Sequence, residues 1–216
     1  PKVVNRVLGA GFRGSTFSIM MPLRPDENGA YNKASFLTAG GVLGLVAANS
    51  PGSYLAVPNS RLDTVEVNAD TESGMRYSSE IVGNLNGPRW YPSGVLLPDG
   101  SVMAFNGANR DEVVLPGSAV PVQTVERFDP KTQEWTEMAT SIKARTYHNT
   151  ALLLPDGRVL VGGHAPINTA YLFSLNLEEL GLSPNDGRDP SFEIYSPPYV
   201  FKDRPEIIQA PSEVDH

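Results

Sequence analysis

Apolar residues in this chain come in short runs that stop at glycine or proline. Val95–Leu97 meets Pro98-Asp99-Gly100, and a second run, Val102–Phe105, then ends at Asn106-Gly107. Further on, Ala151–Leu154 meets Pro155-Asp156-Gly157, and Val159–Val161 ends at Gly162-Gly163. Runs this short, bounded by turn residues, predict strands, and their unbroken apolarity predicts strands covered on both faces. In each Pro-Asp-Gly the glycine supplies the positive φ that a tight hairpin needs. Helical periodicity is weak throughout; its best stretch, Asn176–Leu182, is short.

These two units are copies of one another. Arg89-Trp-Tyr-Pro-Ser-Gly-Val-Leu-Leu-Pro-Asp-Gly-Ser-Val-Met-Ala-Phe-Asn-Gly107 recurs as Arg145-Thr-Tyr-His-Asn-Thr-Ala-Leu-Leu-Leu-Pro-Asp-Gly-Arg-Val-Leu-Val-Gly-Gly163. The hairpin turns start 57 residues apart, and the second copy carries one inserted residue ahead of its turn. Both copies also close alike, on Val125-Glu-Arg-Phe-Asp-Pro130 and Phe192-Glu-Ile-Tyr-Ser-Pro197. The runs near Phe128 and Ile194 are read as the fourth strand of a four-stranded unit. A more degraded copy lies upstream, with strands predicted at Phe17–Leu23, Ala34–Gly41, Leu62–Val67 and Met75–Ile81.

A period near 50 residues with a diglycine after the second strand is the kelch pattern. The predicted fold is therefore all-β, a kelch-type β-propeller of which about three four-stranded blades are visible, at about residues 12–82, 85–140 and 141–201. Propellers usually need four to eight blades to close. Three would leave open sheet edges and uncovered apolar faces. The chain is thus expected to be a fragment, completed by the remaining blades or by a partner chain. It starts at Pro1 without an initiator Met, as a processed or trimmed product would.

Composition sharpens the picture by exclusion. The 20 Gly and 19 Pro interrupt any long helix, while 40% apolar and 19% charged residues suit a globular protein. The net charge is −7, and no cluster of Lys and Arg offers a surface for a phosphate backbone, so nucleic acid is excluded as a partner. No apolar run approaches the roughly 20 residues of a spanning helix. The chain has no cysteine, which removes disulfides, thiolate ligands and cysteine nucleophiles from it.

Several local patterns suggest chemistry and lose on their context. Gly9-Ala-Gly11-Phe-Arg-Gly14 has the spacing of a dinucleotide fingerprint, but a β-like run, Ser15–Met21, follows where a helix is required. No Gly-x-Ser-x-Gly elbow is present. Asn185, Asp186 and Asp189 lack the spacing of an EF-hand loop and read as an Asx-rich turn. His164 follows the diglycine, as a ligand at a strand end or as a loop histidine with its hydrogen bonds satisfied. Trp90 is either an aromatic wall of a sugar or aldehyde pocket or a packing residue between blades.

The stretch Ala144-Arg-Thr-Tyr147-His148 through Gly163 resembles the copper-ligand segment of the galactose oxidase and glyoxal oxidase family, and Phe192–Phe201 is similar to that family's exit from its last blade. The resemblance implies the C-terminal part of a seven-bladed ring, with residues 202–216 beginning an immunoglobulin-like domain that is cut short. It implies Tyr147 and His148 as metal ligands, the phenol axial and the imidazole equatorial, with Tyr147 also catalytic as acceptor of the substrate proton. Copper(II) takes imidazole and oxygen donors. The implied parent is a secreted, extracellular oxidase that turns a primary alcohol or aldehyde, carbohydrates included, over with O2 to give H2O2.

This chain departs from the family in two ways. The family's redox cofactor is a tyrosine cross-linked to cysteine, and the chain has none; its second histidine ligand belongs to the C-terminal domain. With at most two ligands, the chain by itself is expected to be inactive. The alternative is a non-catalytic kelch propeller serving as a carbohydrate-binding or protein-interaction scaffold, with Arg145–His148 kept for structure.

Overall fold

The computed structural model describes residues 15–45, 53–110, 120–164, 189–204 and 206–211. Gly9–Gly14, Asn176–Leu182, Asn185, Asp186 and His216 lie outside them. Among the described residues the regular structure is strand, apart from one 3-10 turn at Pro198–Phe201.

The first blade is an antiparallel sheet of β1 (Phe17–Met20), β2 (Lys33–Ala39), β5 (Ser60–Val67) and β6 (Met75–Val82), in that spatial order. Between β2 and β5 the chain makes a separate hairpin, β3 (Val42–Leu45) with β4 (Ser53–Ala56). The second blade runs β7 (Ser93–Leu96), β8 (Val102–Phe105), β9 (Thr124–Asp129), β10 (Glu134–Thr140), again antiparallel and in sequence order. The third holds β11 (Thr150–Leu153), β12 (Val159–Gly162) and β13 (Phe192–Tyr195).

The strands at Phe128 and Ile194 are the third of their sheets, not the fourth. In the second blade the fourth is β10. It is reached through a tight turn in which the Gln133 N–H bonds Asp129 O at 2.8 Å and Gln133 takes a φ of 59°. Its sequence, Glu-Trp-Thr-Glu-Met-Ala-Thr, is largely exposed and so lacks the apolar run that marks the inner strands. After β13 come Pro197 and Pro198, which cannot donate to a ladder and lead into the 3-10 turn instead.

Packing explains the apolar runs. All four residues of β8 are fully buried, and they face two cores alternately. Val102 and Ala104 join Phe17, Leu37, Ala39, Val82, Leu85 and Phe128 between the first two blades. Met103 and Phe105 join Val95, Leu97, Val125, Val159 and Val161 between the second and third. Each valine, leucine, methionine and phenylalanine among them contributes about 1.5–3 kcal/mol on burial. The Trp135 indole N–H, on β10, also donates to Ser60 Oγ on β5 at 2.9 Å and staples the first two blades together. The leading strands β1, β7 and β11 lie side by side, so the three sheets fan from a common inner edge. Gly94 permits this, because a Cβ there would run into the Phe17 ring. The chain is all-β and forms part of a β-propeller.

Candidate functional site

The pairings Ser93↔Phe105 and Thr150↔Gly162 set the second and third blades in one register. Tyr91 and His148 then occupy the same position, two residues ahead of their strands, and both are left-handed, with φ of 58° and 49°. The shared arginine lies two residues before this position in the second blade (Arg89) and three before it in the third (Arg145). The inserted residue therefore sits between Arg145 and His148, in the segment that carries the tyrosine–histidine pair.

Consecutive side chains of an extended strand point to opposite sides. The left-handed His148 breaks that alternation and leaves the Tyr147 and His148 rings 3.8 Å apart between centroids. Tyr147 stacks on Trp90 at 5.2 Å with planes 13° apart, and Tyr91 meets it edge-on at 4.7 Å. Trp90 is 2% exposed, seated on Val42, Ala56 and Ala108 and pinned by paired backbone bonds with Ala108 of 2.7 and 2.9 Å. Tyr147 is half-buried and His148 exposed. The structure thus gathers Trp90, Tyr147 and His148, and adds Tyr91.

The base of this aromatic group is built from buried polar contacts. Arg89 and Arg145 are each about 1% exposed. Arg89 pairs with Glu126 on β9 at 2.6 Å, and Arg145 faces Glu193 on β13 at 3.5 Å, an ion-pair distance without hydrogen-bond alignment. Each glutamate also accepts a backbone N–H at 2.8 Å, from Asn86 and from Ile142 respectively. The glycine two residues past the second strand of each preceding blade donates to the arginine carbonyl, Gly41 to Arg89 at 2.8 Å and Gly107 to Arg145 at 2.9 Å. Gly163 has φ 72°, and a Cβ there would lie 2.5 Å from the His148 carbonyl oxygen.

His164 lies beneath the turn, where its Nδ1 accepts the Thr146 N–H at 3.1 Å. Burial, and then the Arg145 cation, hold its pKa below the ordinary histidine value, against a weaker pull from Asp189. Asp189 makes an Asx turn, accepting the Ser191 N–H at 2.8 Å. A cavity of about 680 Å³ lies beyond the other end of β1, with Met21, Leu62 and Phe128 in its lining, away from the aromatic group.

Two features escaped the sequence reading. The arginine–glutamate pairs were visible as recurring letters at fixed places in both copies, but nothing in one copy says that they touch. Asn149 gave no signal, since the second blade has Pro92 at that place.

An imidazole and a phenol side by side form the nitrogen–oxygen donor pair that copper(II) takes. They supply two positions. Among the described residues no group of three or more His, Cys, Asp or Glu is placed to hold a metal ion.

Comparison with known proteins follows the same lines. The family model of the glyoxal oxidase N-terminus matches residues 7–199. The aldehyde oxidase GLOX1 of Arabidopsis thaliana is 34% identical over 109 residues, 49% of this chain and 16% of that protein. The aldehyde oxidase GLOX of Vitis pseudoreticulata is 32% identical over 127 residues, 56% of this chain and 22% of its own length. A galactose oxidase of Gibberella zeae is 37% identical over 76 residues, 35% of this chain and 11% of that protein. The matches therefore span no more than about a fifth of these relatives. A solved fungal alcohol oxidase in complex with copper aligns over 61% of this chain and 24% of its own, at 23% identity and a TM-score of 0.47. With the family model running over nearly all of its length, this chain belongs to the glyoxal oxidase N-terminus family.

Proposed function

We propose that this chain is the part of a secreted copper radical oxidase that supplies the tyrosine and one of the histidines of its metal site. The observation that carries the reading is the left-handed His148, which sets its imidazole beside the Tyr147 phenol at the head of an innermost strand. Bound copper would supply the one-electron redox chemistry of the family. Tyr147, backed by Trp90, would accept the hydroxyl proton of the substrate, and His148 would fix the metal. The overall reaction is two-electron: a primary alcohol with O2 gives aldehyde and H2O2, or an aldehyde with O2 and water gives acid and H2O2. The remaining ligands and the cysteine-linked tyrosine would come from outside this chain, and residues 202–216 would lead into the domain carrying the second histidine.

The test is copper loading of the complete protein, with peroxide release followed on galactose, primary alcohols and simple aldehydes such as glyoxal. A radical absorption band and peroxide are expected, both lost in Tyr147→Phe and His148→Ala. Loaded protein with neither band nor peroxide would sink the oxidase reading. A non-catalytic scaffold is the second reading, favoured by the burial of Trp90, which makes its ring a packing residue between the blades. That reading expects carbohydrate or protein binding that survives His148→Ala and needs no copper.

A further inference from the structure

Asn149 follows His148 directly, and its side-chain amide has both polar atoms doubly engaged. Its Oδ1 accepts from Ser93 Oγ at 2.6 Å and from Asn106 Nδ2 at 3.2 Å. Its Nδ2 donates to Tyr91 O at 3.0 Å and to Thr146 O at 3.3 Å. Both carbonyls can only accept, which fixes the amide orientation. Three of the four partners belong to the second blade. The fourth closes the turn Thr146–Asn149, within which His148 is left-handed.

A left-handed histidine is a conformation that persists only where its surroundings impose it. In the second blade the equivalent residue, Tyr91, is held by its own N–H, bonded to Ser15 O at 2.8 Å, and Pro92 follows it without any side-chain donor. In the third blade a side chain takes over that task. We infer that Asn149 is the positioning residue of this site: by tying the turn to the second blade it keeps His148 left-handed, and so keeps the imidazole beside the Tyr147 phenol. The inference rests on the copper reading above for its ligand, while the conformational part stands without it.

The experiment compares the complete protein with Asn149→Ala and Asn149→Asp, reading the φ of His148 from crystal structures and Cu(II) binding from titration with electron paramagnetic resonance. Asn149→Asp keeps an acceptor toward Ser93 and Asn106 but turns a carboxylate toward the carbonyls of Tyr91 and Thr146. Both variants are expected to lose the left-handed His148 and to bind Cu(II) about ten- to a hundredfold more weakly, with altered copper hyperfine coupling. Ser93→Ala removes one bond to Oδ1 and leaves both Nδ2 bonds, so it should keep the wild-type copper spectrum. If Asn149→Ala fails to fold, the Asp and Ser93 variants decide. A left-handed His148 with a wild-type copper spectrum in Asn149→Ala or Asn149→Asp overturns the inference. If the wild type binds no Cu(II), the copper reading fails, and the φ of residue 148 in the variants alone decides the positioning.

Discussion

The second and third blades share a register, a Pro-Asp-Gly hairpin, a buried arginine and a left-handed residue ahead of the inner strand, yet they use these parts differently. In the second blade the ion pair is tight, at 2.6 Å, with both side chains at most 3% exposed. In the third it is loose, at 3.5 Å, with Glu193 16% exposed. Trp90, aligned with Tyr147, is buried, whereas Tyr147 is half-buried. Tyr91 gives way to an exposed His148, and Pro92 to Asn149. One repeat has been closed down for packing, and the other has been opened by a single inserted residue that brings two polar rings to the surface. The opening relies on the closed neighbour, because Trp90 is the platform on which Tyr147 lies.

The sharpest way to break this asymmetry is to remove the carboxylates. Glu126→Ala would leave Arg89 buried without its counter-charge, with its Nε already lacking an acceptor. A loss of about 3–5 kcal/mol in urea unfolding is expected. Glu193→Ala removes a partner that is partly hydrated and poorly aligned, so about 1–3 kcal/mol is expected there. Equal losses would show that the two pairs do the same work and that their different spacing has no energetic meaning.

A smaller effect is expected at the diglycine. Gly163→Ala places a methyl group against the His148 carbonyl on a backbone of φ 72°. It should cost about 1–3 kcal/mol and disturb the tyrosine–histidine pair, seen as a changed Tyr147 fluorescence or copper spectrum. In the second blade the same position holds Asn106, at φ 59°, which bonds Asn149. Asn106→Gly gives up that one bond but relaxes the backbone, for a change within about 1 kcal/mol. Should Gly163→Ala be as mild as Asn106→Gly, the close approach of His148 does not constrain this turn.

The contrast between blades also explains what could be read from the sequence. Strands β7, β8, β11 and β12 were legible as short apolar runs bounded by turns, whose hairpin glycines are demanded by backbone geometry. The expectation that both faces are covered holds throughout β8, whereas β11 leaves Leu152 59% exposed. β10 was missed because a strand at the outer edge has one solvated face and no such run. The aromatic group was legible in part: Tyr147 and His148 stood out as neighbours, and Trp90 as their counterpart. Asn149 was not, because its role depends on atoms more than 40 residues away in the chain, on Ser93, Tyr91 and Asn106. Repetition reveals what the blades have in common, and a residue that makes one blade differ is by that fact outside the repeat.

The finest comparison is between Gly107 and His164, which the register places together. Gly107 has no side chain to titrate, whereas His164 uses a neutral Nδ1 to accept the Thr146 N–H. Burial and Arg145 depress its pKa, so there is a window below the ordinary histidine value, about 6.5, in which the unfolded chain has bound a proton and the folded chain has not. Stability from this residue is whole above that value and declines as pH falls through the window. His164→Gln keeps an acceptor oxygen but cannot titrate, while His148 and His216 remain in both proteins and cancel. The unfolding free energy of the wild type relative to His164→Gln should therefore fall between pH 7.5 and about pH 5, measured by urea midpoints at each pH. A difference that stays constant, or grows as pH falls, would mean that His164 is not neutral in the folded blade, and that the turn carrying Tyr147 and His148 is held from below by something other than its imidazole.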